Sequence, residues 1–190
     1  MKSLALEVLD FWFGEGAEYG QRHKRWFEKN NAFDAEVTER FGSLYEEMRT
    51  GKRRDWLEEP RRCLARIIVL DQFPRHIHRG TARAFSSDAL ALEAAKHLVG
   101  KGWDRELLAV ERMFAYLPFE HSESLEDQEQ ACTLCEALLA FPEVADTYRY
   151  ALAHRDIIRR FGRFPHRNAA LGRASTREEI EFLKEPGSSF

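Results

Sequence analysis

The sequence is poor in the features that commit a chain to a special environment. It holds three cysteines, an odd number that suits a reducing compartment better than a disulfide framework. Nowhere does an apolar run reach the roughly 18 residues that a membrane-spanning helix needs. Glu7 and Asp10 interrupt the apolar amino terminus before a signal-peptide core can form, so a cytoplasmic location is the expectation. Valine is sparse and alternating β-branched runs are missing, which argues against strands. There is no G-x-G-x-x-G, P-loop or G-x-S-x-G, and no cofactor is predicted. An excess of positive charge is also missing: 29 basic and 32 acidic side chains leave a formal net charge of −3. That balance speaks against general nucleic-acid binding and against binding to an anionic membrane.

What is present is helical periodicity. At 190 residues and 44% hydrophobic, the chain is long enough for a sizeable core. One all-helical domain over residues 1–185 is expected, followed by a flexible carboxy-terminal tail at 186–190. Apolar residues recur at spacings of three and four, and caps and breakers divide the chain into eight or nine helices. Ser3 and Gly14 bound the first, and a short one carries Trp26 and Phe27. Others run from about Asp34 to Thr50, from Pro60 to Gln72 before the pre-proline Phe73, and from Ala82 to Val99. The next are Asp104 to Tyr116, halting before Pro118, then Ser124 to before Pro142, and Glu143 to Phe161. A last one starts at Ser175 or Thr176, with Glu178 and Glu179 placed for a capping box. Short connections predict antiparallel helix hairpins, stacked as a superhelix or a compact bundle.

Several charged residues fall in the apolar register. Leu64, Ile67 and Ile68 lead to Asp71; Phe85, Leu92, Ala95 and Val99 share their spacing with Asp88. Val144, Tyr148, Ala151 and Ile158 lead to Arg155, with His154 on the flank, and predict that Arg155 is buried against Asp71 or Asp88. A buried unpaired charge costs several kcal/mol by rough estimate, so these residues either pair with one another or line a wet cavity. Both readings stand at this level: a structural ion-pair network, or a polar pocket.

The segment 116–130 adds Glu120, His121 and Glu123 in a predicted loop, a histidine between carboxylates that suits acid or base work. No metal site is predicted, because these residues lack a fixed ligand spacing. Cys132 and Cys135 spell C-x-x-C inside a helical run and read as core packing. His76 and His78 read as exposed loop histidines, the run 126–129 as a solvated helix face, and Trp12, Phe13, Trp26, Phe27, Trp56 and Trp103 as core. Residues 154–173 are the most basic stretch, with Arg163, His166, Arg167 and Asn168 beyond a helix stop at Gly162.

Four blocks, VLDFWFG at 8–14, LDQFPRHIHRGTARAFSSD at 70–88, YLPFEHSE at 116–123 and HRDIIRRFGRFPHRNAALGRAST at 154–176, closely resemble an uncharacterised bacterial family, domain of unknown function 924. The resemblance covers nearly the whole chain in order and implies an all-α fold of TPR-like antiparallel helix pairs. Asp71, Gln72, Arg75, Asp88, Glu120, His121, Glu123, His154, Arg163, His166, Arg167 and Asn168 match the family pattern. His76 and His78 depart from it, since the family usually has Asn and then an aromatic residue at those positions, and this puts both histidines outside a shared site.

Three functions compete. The first is a pocket that binds a small anionic molecule, a carboxylate or phosphate, because arginine clamps such groups with paired hydrogen bonds. If chemistry follows, hydrolysis fits most easily, with His121 or His166 as acid or base, oriented by Glu120, Glu123 or Asp71, and Arg163 and Arg167 holding the anion. The second is a helical scaffold that binds a peptide or a partner protein in a groove. The third, RNA binding through the Arg and Phe of RRFGRFPHRN, is disfavoured, since Phe161 and Phe164 have better use in the core. The chain is compatible with a monomer or a homodimer.

Overall fold

The computed structural model describes residues 2–189, and among the described residues it contains α-helices, 3-10 turns and one π turn but no strand. The helices are α1 (Leu4–Phe13), α2 (Asn31–Arg49), α3 (Pro60–Ile67), α4 (Phe73–Ile77), α5 (Asp88–Gly100), α6 (Ala109–Glu120), α7 (Leu125–Glu136), α8 (Thr147–Phe161) and α9 (Arg177–Phe182). Their ends follow the local chemistry. The Ser3 hydroxyl accepts from the Leu6 amide and opens α1, Asn30 accepts from Ala32 and Phe33 and opens α2, and Thr176 and Glu179 form the capping box of α9. Gly162 ends α8 in the left-handed conformation, with φ at 69°.

Two expected stops are corrected. The fourth helix does not end at Phe73. Its axis continues through a π turn, Ile68–Gln72, into α4. Pro74 brings no amide hydrogen, and the turn widens so that the Phe73 amide bonds to the Ile68 carbonyl, five residues back. The Leu70 and Asp71 carbonyls are then taken by side chains, the Ser87 hydroxyl at 2.6 Å and Arg75 Nη1 at 2.5 Å. Likewise α6 does not halt before Pro118 but runs to Glu120: Phe119 is buried, and Gln128 Nε2 donates to the Phe119 and Glu120 carbonyls at the helix end.

Two long predicted helices are each split. Residues 82–99 divide into a 3-10 turn at Ala82–Phe85 and α5, and residues 104–116 into a turn at Trp103–Glu106 and α6. Packing runs α1 on α3, α2 on α4, α3 on α5 and α5 on α6, after which α6, α7 and α8 follow one another. The main core holds Trp12, Phe41, Tyr45, Phe73, Phe114 and Tyr116, all fully buried, while Ile157, Ile158 and Phe164 form a smaller cluster that receives Phe182 of α9. Of the aromatic residues expected in the core, Phe27 is 57% exposed and Trp103 is half-buried. Ser188, near the carboxy-terminal end, is buried, and its hydroxyl donates to the Leu183 carbonyl. Among the described residues no helix is long and apolar enough to cross a membrane.

Candidate functional site

A cavity of about 570 Å³ opens where the π turn, α4, the end of α6, α8 and the turn Pro165–Arg167 meet. Its polar wall is made by Gln72, Arg75, His76, Glu120, His121, His154, His166 and Arg167. The rest of the lining is largely apolar and includes Trp26, Phe27, Phe85, Met113, Leu117 and Tyr150. Arg22, Arg79 and Ser189 also contribute to the lining.

Asp71 is the hub behind the polar wall. It is fully buried and accepts from His121 Nδ1 at 2.7 Å and from Gln72 Nε2 at 2.5 Å, with Arg75 Nη1 at 3.4 Å. Burial works against its charge, yet Arg75 and His121 outweigh burial and hold the carboxyl below its ordinary range. Arg75 in turn clamps Asp88 with two hydrogen bonds, 2.9 and 3.1 Å. Arg167 reaches the same carboxylate at 3.3 Å and the His121 carbonyl at 3.0 Å, both through Nη1. Its guanidinium lies between two rings, 4.4 Å from the Phe164 centroid and 4.8 Å from that of Phe85. Burial, then Arg75, lowers Arg167 to about 10, so it stays charged at neutral pH. Arg167 Nε is buried with no hydrogen-bond partner among the described residues.

An ionised Asp71 can only accept, so His121 Nδ1 carries the hydrogen between them. Burial and Arg75 lower His121 below its ordinary value, which keeps the ring neutral and leaves Nε2 as an acceptor. Next to it in sequence, Glu120 has the opposite shift. Burial pushes it up to about 8, with Asp71 adding to the rise and the Cys135 thiol opposing it. Glu120 Oε2 lies 3.5 Å from His154 Nδ1, but that nitrogen donates to the Tyr150 carbonyl at 2.8 Å, and the oxygen has no hydrogen-bond partner among the described residues. Burial also lowers His154 to about 3 and His166 to about 4. Near neutral pH the wall thus holds a protonated carboxyl beside neutral imidazoles.

The remaining candidates lie elsewhere. Arg155 is not on the inner face. It pairs with Asp156 at 2.8 Å and approaches Glu129, and His154 takes the inward position instead. The reason is register: the buried positions are Thr147, Ala151, His154, Ile157 and Ile158, so that Thr147 and His154 replace the half-buried Tyr148 and Arg155 of the expected stripe. Arg163 forks onto Glu179 of α9 at 2.7 and 2.8 Å, and Asn168 donates to Ser175 and Glu179. Glu123 accepts from Arg173 and from the Phe164 amide, tying the segment after α8 to the end of α6. None of these four lines the cavity.

His76, by contrast, is not an exposed loop residue: it is buried, bonded to Asp34 at 2.7 Å, and on the lining. The run 126–129 is not a uniformly solvated face either. Asp127 is buried against Lys96 and Ser122, and Gln128 is fully buried. Gln128 Nε2 donates to the Phe119, Glu120 and Ser122 carbonyls and so fixes the turn that carries Glu120 and His121. Nothing in a single sequence marks that glutamine apart from its acidic neighbours. Among the described residues no group of three or more His, Cys, Asp and Glu side chains has a metal-holding arrangement.

No curated protein matches the chain. A solved structure of a protein of unknown function from Agrobacterium tumefaciens, ATU0120, is similar to it, at 38% identity and a TM-score of 0.85, with 95% of this chain and 97% of that one covered. A family model described as bacterial protein of unknown function (DUF924) matches residues 8–187, and the chain belongs to that family.

Proposed function

We propose that the protein binds a small anionic molecule, a carboxylate or phosphate, in this cavity. One observation carries the reading. Among the described residues the side chains that present a full charge to the cavity are the arginines Arg22, Arg75, Arg79 and Arg167, while their acids, Asp146, Asp88 and Asp34, are not part of the lining. Among the described residues Glu120 is the one acidic side chain on the lining, and near neutral pH it is protonated. An incoming anion therefore meets guanidinium hydrogens and the Glu120 hydroxyl rather than carboxylates. Arg167 supplies the main contact, because its protein hydrogen bonds use only Nη1.

The same wall supports acid and base chemistry on the bound ligand, hydrolysis above all. A neutral His121 with a free acceptor nitrogen suits activation of water, and a protonated Glu120 suits donation to a leaving oxygen. Neighbouring groups whose environments push their pKa values apart are the usual basis for such a division of labour.

A TPR-like scaffold that holds a peptide is the competing reading, supported by the packing of α1 on α3 and α3 on α5. Against it stands the lining, drawn from dissimilar elements around one cavity rather than from equivalent positions along a groove. The test is a thermal-shift screen against small carboxylates and phosphates, with Arg167→Ala in parallel. The expected result is a rise in Tm with at least one anion that disappears in the variant. No shift with any anion would sink the proposal.

A further inference from the structure

The cavity lining is of two unlike kinds, and its apolar residues have no use in a site for inorganic phosphate or acetate. Phe27 is 57% and Tyr150 41% exposed, and both line the cavity. Phe27 lies parallel to Phe114 at 6.2 Å and edge-on to Trp26 at 6.3 Å, so the ring is held in place rather than loose at the surface. Met113 and Leu117 line the cavity one turn apart on α6, in the turns that lead to Glu120, and Phe85 lies against the Arg167 guanidinium. A bare inorganic anion would leave most of the 570 Å³ filled with water lying against hydrocarbon.

The charges behind the polar wall limit the head group. Asp71 and Asp88 face Arg75 and Arg167, two carboxylates against two guanidiniums, and this inner set is balanced before any ligand arrives. A single negative charge can be met by the unused Arg167 hydrogens and by the Glu120 hydroxyl. A dianion would place a second charge against the same guanidinium, because Arg22 and Arg79, the other arginines on the lining, are already paired with Asp146 and Asp34.

From the two kinds of lining together, and resting on the anion-binding reading above, we infer that the ligand is an amphipathic monocarboxylate. Its carboxylate sits against Arg167 and Glu120, and its aromatic or aliphatic body lies on Phe27, Met113, Leu117 and Tyr150. Such a division, a broad apolar surface with a few polar groups that set orientation, is the usual make-up of small-ligand sites of this size.

Calorimetric titration at neutral pH with acetate, inorganic phosphate, octanoate, 3-phenylpropionate and 3-phenylpropionamide tests this. Octanoate or 3-phenylpropionate is expected to bind at least about tenfold more tightly than acetate or phosphate, the gain that burying even a few methylenes gives. The neutral amide is expected to lose that binding. Phe27→Ser, at an exposed ring, should narrow the gap between 3-phenylpropionate and acetate, and Arg167→Gln should weaken every carboxylate. Acetate or phosphate binding as tightly as the amphipathic acids, or the amide binding as tightly as its acid, overturns the inference while leaving the anion site standing. Absence of binding by all of them overturns both.

Discussion

Replacing Glu120 by glutamine isolates the most perturbed carboxyl of the cavity. The side chain is fully buried, one oxygen lies 3.4 Å from the Cys135 thiol, and the other makes no hydrogen bond among the described residues. Burial raises its pKa from 4.5 to about 8. Between those values the folded protein keeps a proton that the unfolded chain releases. The stabilisation tied to that proton is complete below about pH 4.5 and is lost as pH rises toward about 8. The slope is on the order of 1 kcal/mol per pH unit, a few kcal/mol over the whole window. Glutamine copies the protonated shape and carries no titration. Glu120→Gln should therefore gain stability relative to the parent steadily from pH 5 to pH 8 and level off above that. Urea unfolding of both proteins at unit pH steps gives the difference directly. A new amide donor without a partner would offset the whole curve but leave its slope unchanged. A flat difference, or one that shrinks with rising pH, would mean that Glu120 is ionised in the fold, and the protonated hydrogen-bond donor invoked for the anion site would be gone.

Other perturbations separate the inner network from the surface. Arg75→Ala leaves Asp71 and Asp88 short of their main partner and should cost on the order of 3–5 kcal/mol in chemical denaturation. Arg155→Ala, at a partly exposed pair, should cost less than about 1 kcal/mol; equal losses for the two would refute the placement of Arg155 outside the core. His154 is held at about 3 by burial, so the unfolded chain takes up its proton first as pH falls through 6.5. The stability tied to that neutral ring is present above pH 6.5 and is lost toward lower pH. His154→Gln should flatten the acid limb of the stability profile, and an unchanged limb would contradict a neutral buried His154. Gln128→Leu removes three hydrogen bonds that hold the end of α6 and should lower stability on the order of 2 kcal/mol, read as a drop in the urea midpoint.

The helices were legible because caps and breakers act locally. Ser3, Gly14, Thr176 and Glu179 do in the structure what their residue types predict. The errors have a common source in tertiary packing. A pre-proline residue predicts a stop, but at Phe73 the missing Pro74 hydrogen bond is made good by a π turn and by donors from Ser87 and Arg75, well away in sequence or provided by a side chain. The stripe through Leu64, Ile67 and Ile68 pointed correctly to Asp71, since three fully buried residues fixed its phase. The stripe through α8 failed at Arg155, because Tyr148 carries a long apolar ring yet lies half outside the core. A single misjudged aromatic exchanged Arg155 for His154.

The basic stretch 154–173 shows how the structural and the ligand-binding readings coexist. Arg163 and Arg173 are occupied by Glu179 and Glu123, and Arg159 and Arg160 by Glu129 and Glu178; each guanidinium has its carboxylate, and together they fasten the segment after α8 to its neighbours. Arg167 differs from all of them. It is more buried, its Nε makes no hydrogen bond among the described residues, and it shares Asp88 with Arg75, which grips that carboxylate through both nitrogens. A cation so desolvated and so incompletely paired is costly to the fold. The surrounding network bears that cost: Asp71 fixes Arg75 and His121, and Pro165 and the Glu123 contact to the Phe164 amide set the turn that brings Arg167 to the cavity wall. The ion pairs are thus the frame that holds one under-used guanidinium where an anion can reach it.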